Sequence, residues 1–200
     1  METASDLPLF PLNTVLFPGG LLPLRVFEPR YVDMVSDCLK HGGEFGVCLI
    51  VSGKEVGAPA EPAEIGCRAR IVDWNMEQPG VLQIMVAGTR RFRVLSSTAT
   101  SAGLVHARTV DLPDDVPEDI PEEHAACTRL LRRILTELEQ QGRAGAIAQP
   151  WFYDDASWVA NRLAEMLPLP LPARHDLMAL EGGLARLARV HRTLAEHDAL

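Results

Sequence analysis

Between Asp111 and Glu123 the chain carries seven carboxylates, no Lys or Arg, and prolines at 113, 117 and 121. A proline every fourth residue removes backbone donors that a helix or a central strand would need. Like charges at this density also repel one another and keep a backbone extended and wet. The stretch reads first as a solvated acidic connector, with an acidic docking peptide as the alternative. It divides the chain into a strand-patterned region, residues 1–112, a linker, 113–123, and a helix-patterned region, 124–200.

Before the connector, apolar residues recur with period two. Leu7 to Phe17 contains prolines that tolerate strand edges, and Pro18-Gly19-Gly20 supplies a turn. Leu22, Leu24 and Val26 then alternate with Pro23, Arg25 and Phe27. One helix interrupts the strands. It opens at Glu28-Pro29, carries Tyr31, Met34, Val35, Cys38 and Leu39 on one face, and stops at Gly42-Gly43. Phe45 to Val51 reads as a buried strand and Ser52 to Pro62 as a loop. Further strands are expected over Arg68–Trp74, Val81–Val86, Arg90–Val94 and Leu104–Val110. Six or seven strands around one helix suggest a β-barrel-like or α+β domain.

Beyond the connector the period lengthens. Ala126, Leu130, Ile134 and Leu138, with Leu131 and Leu135 beside them, predict a helix from about Pro121 to Gln141. Asp154 or Asp155 can cap a second, with Trp158, Val159, Leu163, Met166 and Leu167 on one face and Pro168, Pro170 and Pro172 ending it. In the last, Leu177, Leu180, Leu184, Leu187, His191 and Leu194 alternate spacings of three and four. That seam contains Gly182-Gly183 and favours packing into a three-helix bundle over a free coiled coil.

Charge and motifs narrow the chemistry. Nineteen Lys and Arg stand against 27 Asp and Glu, a net charge of -8 that disfavours nucleic acid and anionic membranes as partners. No stretch reaches the eighteen or more apolar residues of a membrane span, and Met1 to Asp6 lacks a basic, then apolar, leader; a cytoplasmic location is expected. Cys38, Cys48, Cys67 and Cys127 contain no C-x-x-C pair and read as reduced structural thiols. Only Lys40 and Lys54 are lysines, and neither sits in a phosphate-cradling loop; Lys54 with Ser52 lies in a loop unsuited to peptidase chemistry. His124 and Cys127 are three apart but lack further ligands, and there is no G-x-S-x-G, H-E-x-x-H or G-x-G-x-x-G. No catalytic residue, metal or cofactor is expected. Arg68, Arg70, Arg90, Arg91 and Arg93 either form a local basic face or pair across strands with carboxylates such as Glu64 or Asp73.

The run from Leu7 to Tyr31, LPLFPLNTVLFPGGLLPLRVFEPRY, closely resembles the opening signature of the Lon protease N-terminal domain family. Phe45-Gly46-Val47, Ile65 to Ala69 and Gly88 to Val94 follow in the family's order, and Leu163 to Leu180 is similar to its helical continuation. The resemblance implies a PUA-like β-barrel subdomain followed by a helical bundle, which in the full-length proteases holds unfolded or tagged polypeptides. The expectation is a non-catalytic module for unfolded or extended polypeptide, an adaptor or holdase with a protease or chaperone as a further candidate partner. Its binding candidates are Phe17, Phe27, Arg30, Tyr31, Trp74, Arg91 and Phe92, with Glu28 and Arg30 alternatively an internal ion pair. The rival expectation is a PUA-like protein that binds RNA or a small ligand through its arginine-bearing strands.

Overall fold

The computed structural model describes residues 4–196 apart from Ala144 and Ala146, and the backbone but not the side chain of Glu77. The chain forms two compact units, one ending at Pro113 and the other beginning at Asp114.

The first unit contains β1 (Ser5–Leu12), β2 (Leu21–Val26), α1 (Pro29–His41), β3 (Phe45–Ser52), β4 (Glu61–Gln78), β5 (Val81–Ala99) and β6 (Val105–Asp111). It is an α+β arrangement around one mixed sheet, because β1 and β3 run parallel while the other pairs are antiparallel. The strand order is β2-β5-β4-β3-β1-β6, and β6 pairs a second time with β5. Five strands therefore complete a hydrogen-bonded circuit. β5 can serve both neighbours because it is long: Leu82 to Ala87 pair with β2, and Phe92 to Ala99 pair with β6. The sequence pattern split this strand at Gly88 and ended β4 at Trp74; both run further, across register shifts that absorb the irregular alternation.

β1 is apolar on both faces because it separates two cores. Leu7 and Leu9 pack with Cys48, Phe92, Val105 and Ala107. Phe10 and Leu12 pack with Tyr31, Met34, Val35 and Cys38 of α1. The Phe10 and Tyr31 rings stack with centroids 4.0 Å apart. Helix α1 has the predicted limits, with Pro29 in its first turn and Gly42 left-handed at φ 65° beyond its end.

Two signature glycines make room for Phe92. A Cβ on Gly46 would come within 2.5 Å of the Phe92 ring, and one on Gly66 within 2.6 Å of that ring and 2.7 Å of the Val47 carbonyl. The ring thus lies directly against the bare backbones of β3 and β4. Gly88 serves the signature's turn: its N–H donates to Gly20 O, its carbonyl accepts from Gly19 N–H, both at 2.8 Å, and a Cβ would clash with Phe17 O.

The second unit holds a 3-10 turn (Glu122–His124), α2 (Ala125–Gln140), α3 (Ala156–Met166), α4 (Leu171–Ala179) and α5 (Gly183–Glu196). Among the described residues the expected three α-helices are four. The long leucine seam breaks because Leu180 adopts extended backbone and Gly182 sits at φ 84°, which separates α4 from α5. On α2 the deepest residues are Cys127, Leu131 and Leu135, so the apolar stripe centres one position beyond the predicted row. Asp155 caps α3, accepting from Ser157 N–H at 2.7 Å and Trp158 N–H at 3.1 Å.

The acidic stretch is not simply a wet connector. Asp115, with its side chain 8% exposed, accepts from Arg186 Nη1 at 2.6 Å, Ser157 Oγ at 2.9 Å and Gly182 N–H at 3.2 Å. Further along, Glu118 O accepts from Ala156 N–H, and Asp119 forms a β-bridge with Asp155. Arg186 supplies the compensation that seven carboxylates in thirteen residues concealed: its other nitrogens donate to Leu177 O and Leu180 O at the end of α4.

Candidate functional site

The residues expected to bind polypeptide separate by burial. Phe17, Arg30, Tyr31, Arg91 and Phe92 are buried, so none presents a side chain that a bound polypeptide could touch. Each is used internally. Phe92 and Tyr31 fill the two cores. Arg30 pairs with Glu28 at 2.9 Å, donates to Gly103 O at 2.8 Å and lies 4.6 Å from the Tyr31 ring centroid. The alternative of an internal Glu28–Arg30 pair is therefore the observed one. Arg91 donates to Pro113 O at 3.3 Å.

Phe27, 52% exposed, and Trp74, 54% exposed, remain at the surface. The strand register explains why Trp74 stands out. Leu24 of β2 pairs with Ile84 of β5, and Ile84 pairs with Trp74 of β4. The row begins against the core at Leu24, is buried at Ile84 and ends on an indole that the core no longer covers. Flanking rows are Pro23–Met85–Asp73 and Arg25–Gln83–Asn75. These nine residues line one shallow cleft of about 410 Å³. Asp73 Oδ1 accepts from Trp74 N–H at 2.9 Å beside the register shift in β4. Val72 and Met76, two positions either side of Trp74, are exposed as well.

Leu24, Met85, Val72 and Met76 were not legible as candidates, because alternation alone cannot show which strand ends extend past the core. Phe27 is exposed at the β2–α1 junction but does not line this cleft.

The arginine-bearing strands are strongly compensated. Arg68 pairs with Asp111 at 2.6 Å, Arg90 with the same carboxylate at 3.7 Å, Arg70 with Glu44 at 3.1 Å, and Arg93 with Glu64. Asp73 instead binds its neighbouring backbone. Paired cations offer little field to a phosphate backbone, so the geometry does not favour the nucleic-acid reading.

Reactive groups are muted. The four cysteines are free and buried; burial pushes the Cys48 thiol up to about 12 and the Cys127 thiol up to about 11, far from the thiolate that nucleophilic chemistry requires. His124 faces His191 with ring centroids 5.0 Å apart. Among the described residues no three His, Cys, Asp or Glu side chains gather as a metal site, and no helix is long and apolar enough to cross a membrane.

Comparison with known proteins places this geometry. Residues 6–196 match the family model of the ATP-dependent protease La (LON) substrate-binding domain. A Lon N-terminal domain protein from Xanthomonas campestris superposes with a TM-score of 0.77 at 38% identity, covering 93% of this chain and 96% of that one. The N-terminal domain of the Mycobacterium avium complex Lon protease shares the fold at 15% identity, with a TM-score of 0.68. Lon protease 2 of Myxococcus xanthus is 30% identical over 134 residues, 66% of this chain and 16% of that protein. Cereblon from Gallus gallus is 30% identical over 117 residues, 56% of this chain and 25% of that protein. The chain thus spans a quarter or less of the length of these two curated relatives.

Proposed function

We propose, from the premise that the chain belongs to the LON substrate-binding domain family, that it is a non-catalytic module binding extended polypeptide at the Trp74 cleft. The closed strand circuit is read as the PUA-like barrel that the family resemblance implies. The observation that carries the proposal is half-exposed Trp74, which finishes a cross-strand row running from partly buried Leu24 through buried Ile84 and lines the same cleft as Pro23 and Met85. An extended segment with one apolar side chain on Trp74 would bury on the order of 100 Å² of ring surface, roughly 2–3 kcal/mol at 25 cal/mol per Å². β2 ends the sheet next to this cleft, which gives a strand-like client an edge to follow. Pro23 interrupts that edge by lacking an N–H, so side-chain burial carries more of the affinity than strand pairing does. In this role the protein shields or delivers clients as a holdase or adaptor.

The test is fluorescence anisotropy with a permanently unfolded, labelled polypeptide and its native counterpart. Binding confined to the unfolded form, weakened about tenfold or more by Trp74→Ala, is the expected result. Equal binding of both forms, or an unchanged affinity in the Trp74→Ala variant, refutes the assignment.

A further inference from the structure

The second unit contains a concave site distinct from the Trp74 cleft. Pro117, Glu118 and Asp119 form one wall, Trp151 to Asp155 the other, and Arg132 of α2 reaches it as well; the cavity is about 630 Å³. Its chemistry combines two features. The first is aromatic: Trp151 meets Tyr153 edge-on at 5.9 Å, Tyr153 meets Trp158 at 5.5 Å, and Phe152 is 52% exposed. The second is anionic: Glu118, Asp119, Asp154 and Asp155 lie along the same rim.

The protein already shows what such a surface attracts. The Arg132 guanidinium carbon sits 3.8 Å from the centroid of the Tyr153 ring, a cation over an aromatic face inside the acidic rim. A second observation concerns Trp151 of the same lining. The Trp151 Nε1 donor is shielded from water and has no acceptor among the described residues, an arrangement that a backbone carbonyl of a bound segment would relieve after a small movement of the ring.

We propose that this cleft docks a cationic segment of a partner polypeptide, with an arginine side chain held between the exposed aromatic surface and the carboxylates of Glu118 and Asp154. Charge complementarity selects this occupant. An acidic or purely apolar segment would leave the rim carboxylates repelled or desolvated without a counter-ion. Arginine suits the site better than lysine, since its planar guanidinium stacks on aromatic faces while donating in plane to carboxylates. Arg132 acts as an internal placeholder that a partner's arginine joins or displaces. The proposal does not depend on the Trp74 cleft.

The test uses the full chain and two short labelled peptides, one with arginines spaced among Ser, Gly and Leu, the other with glutamate at each arginine. The arginine peptide should bind, lose affinity as salt rises, and weaken roughly 3- to 30-fold in Phe152→Ala and in Glu118→Gln/Asp154→Asn, the range a cation–aromatic contact supplies. Arg132→Gln should tighten binding by removing the competing guanidinium. Glu118→Lys/Asp154→Lys should reverse the preference toward the glutamate peptide, a gain that misfolding cannot imitate. Trp74→Ala should leave all of this unchanged. Equal affinity for the two peptides, or failure of the lysine variant to reverse the preference, overturns the proposal.

Discussion

Arg186 is the residue on which the helical unit's stability turns most sharply. Its side chain is 1% exposed and donates to Asp115 Oδ2 at 2.6 Å, to Leu177 O at 2.9 Å and to Leu180 O. The two carbonyls lie at the end of α4, where no helical N–H follows to satisfy them. Arg186→Ala would take a short ion pair from a buried carboxylate and strip those carbonyls of a donor. Breaking a buried pair from one side costs about 3–5 kcal/mol. Asp115 keeps Ser157 Oγ and Gly182 N–H as donors, which places the expected loss nearer ~3 kcal/mol. Asp115→Ala should cost a similar amount, since it takes the carboxylate from the buried guanidinium instead. The double variant should then lose clearly less than the sum, because neither charge is left alone. Urea unfolding followed by far-UV circular dichroism reads the helices directly. A loss below ~1 kcal/mol in Arg186→Ala, the range of an exposed ion pair, or strict additivity in the cycle, would refute the clamp.

Three further outcomes follow from the packing and the titrating groups. Gly66→Ala should cost roughly 1–3 kcal/mol in thermal unfolding, because its Cβ meets the Val47 carbonyl at 2.7 Å as well as the Phe92 ring; Phe92→Leu in the same chain should recover only part of the loss, since the backbone contact persists. Cys48 and Cys127, with thiols pushed up to about 12 and about 11, should resist alkylation at about pH 8 in the native protein and react at once in denaturant. Burial pushes the Glu165 carboxyl up to about 7 against the opposing pull of Arg162 and Arg174. The native state therefore holds its proton more tightly than the unfolded chain, so this group's contribution to stability should fall as pH rises from about 4.5 to about 7 and level off above that. Glu165→Gln should flatten that slope; a slope identical to the parent's would contradict the assignment.

Much of the first unit was legible because its elements are locally consistent. The alternation of β2, the spacing of α1 and the glycine stop at Gly42 each encode geometry within a few residues, and the structure places them where the pattern did. The lengths of β4 and β5 were not legible, because long strands that cross bulges lose strict alternation and continue past the core. In the second unit, leucines spaced by three and four masked the break at Leu180–Gly182, since each half keeps a helical period of its own. The burial of Asp115 escaped for a different reason. Its counter-charge is 71 residues away, and no local signal separates a buried carboxylate from six wetter neighbours.

The same logic explains why the candidate sites were harder to find than the family. The motif residues that carry the resemblance are largely those that build the cores: Leu9, Phe10, Phe17 and Tyr31 from the opening run, then Gly46, Gly66 and Phe92. Their roles demand particular shapes, and a Cβ at either glycine would collide with the Phe92 ring. Trp74 and Phe152 face the opposite requirement. An exposed side chain on a strand or a cleft rim satisfies the fold with many alternatives, so the fold alone does not fix its identity. The signature therefore transmits the scaffold, and the surface residues of the two proposed sites lie outside it. Trp74→Ala and Phe152→Ala should accordingly change binding far more than stability, and Gly66→Ala the reverse.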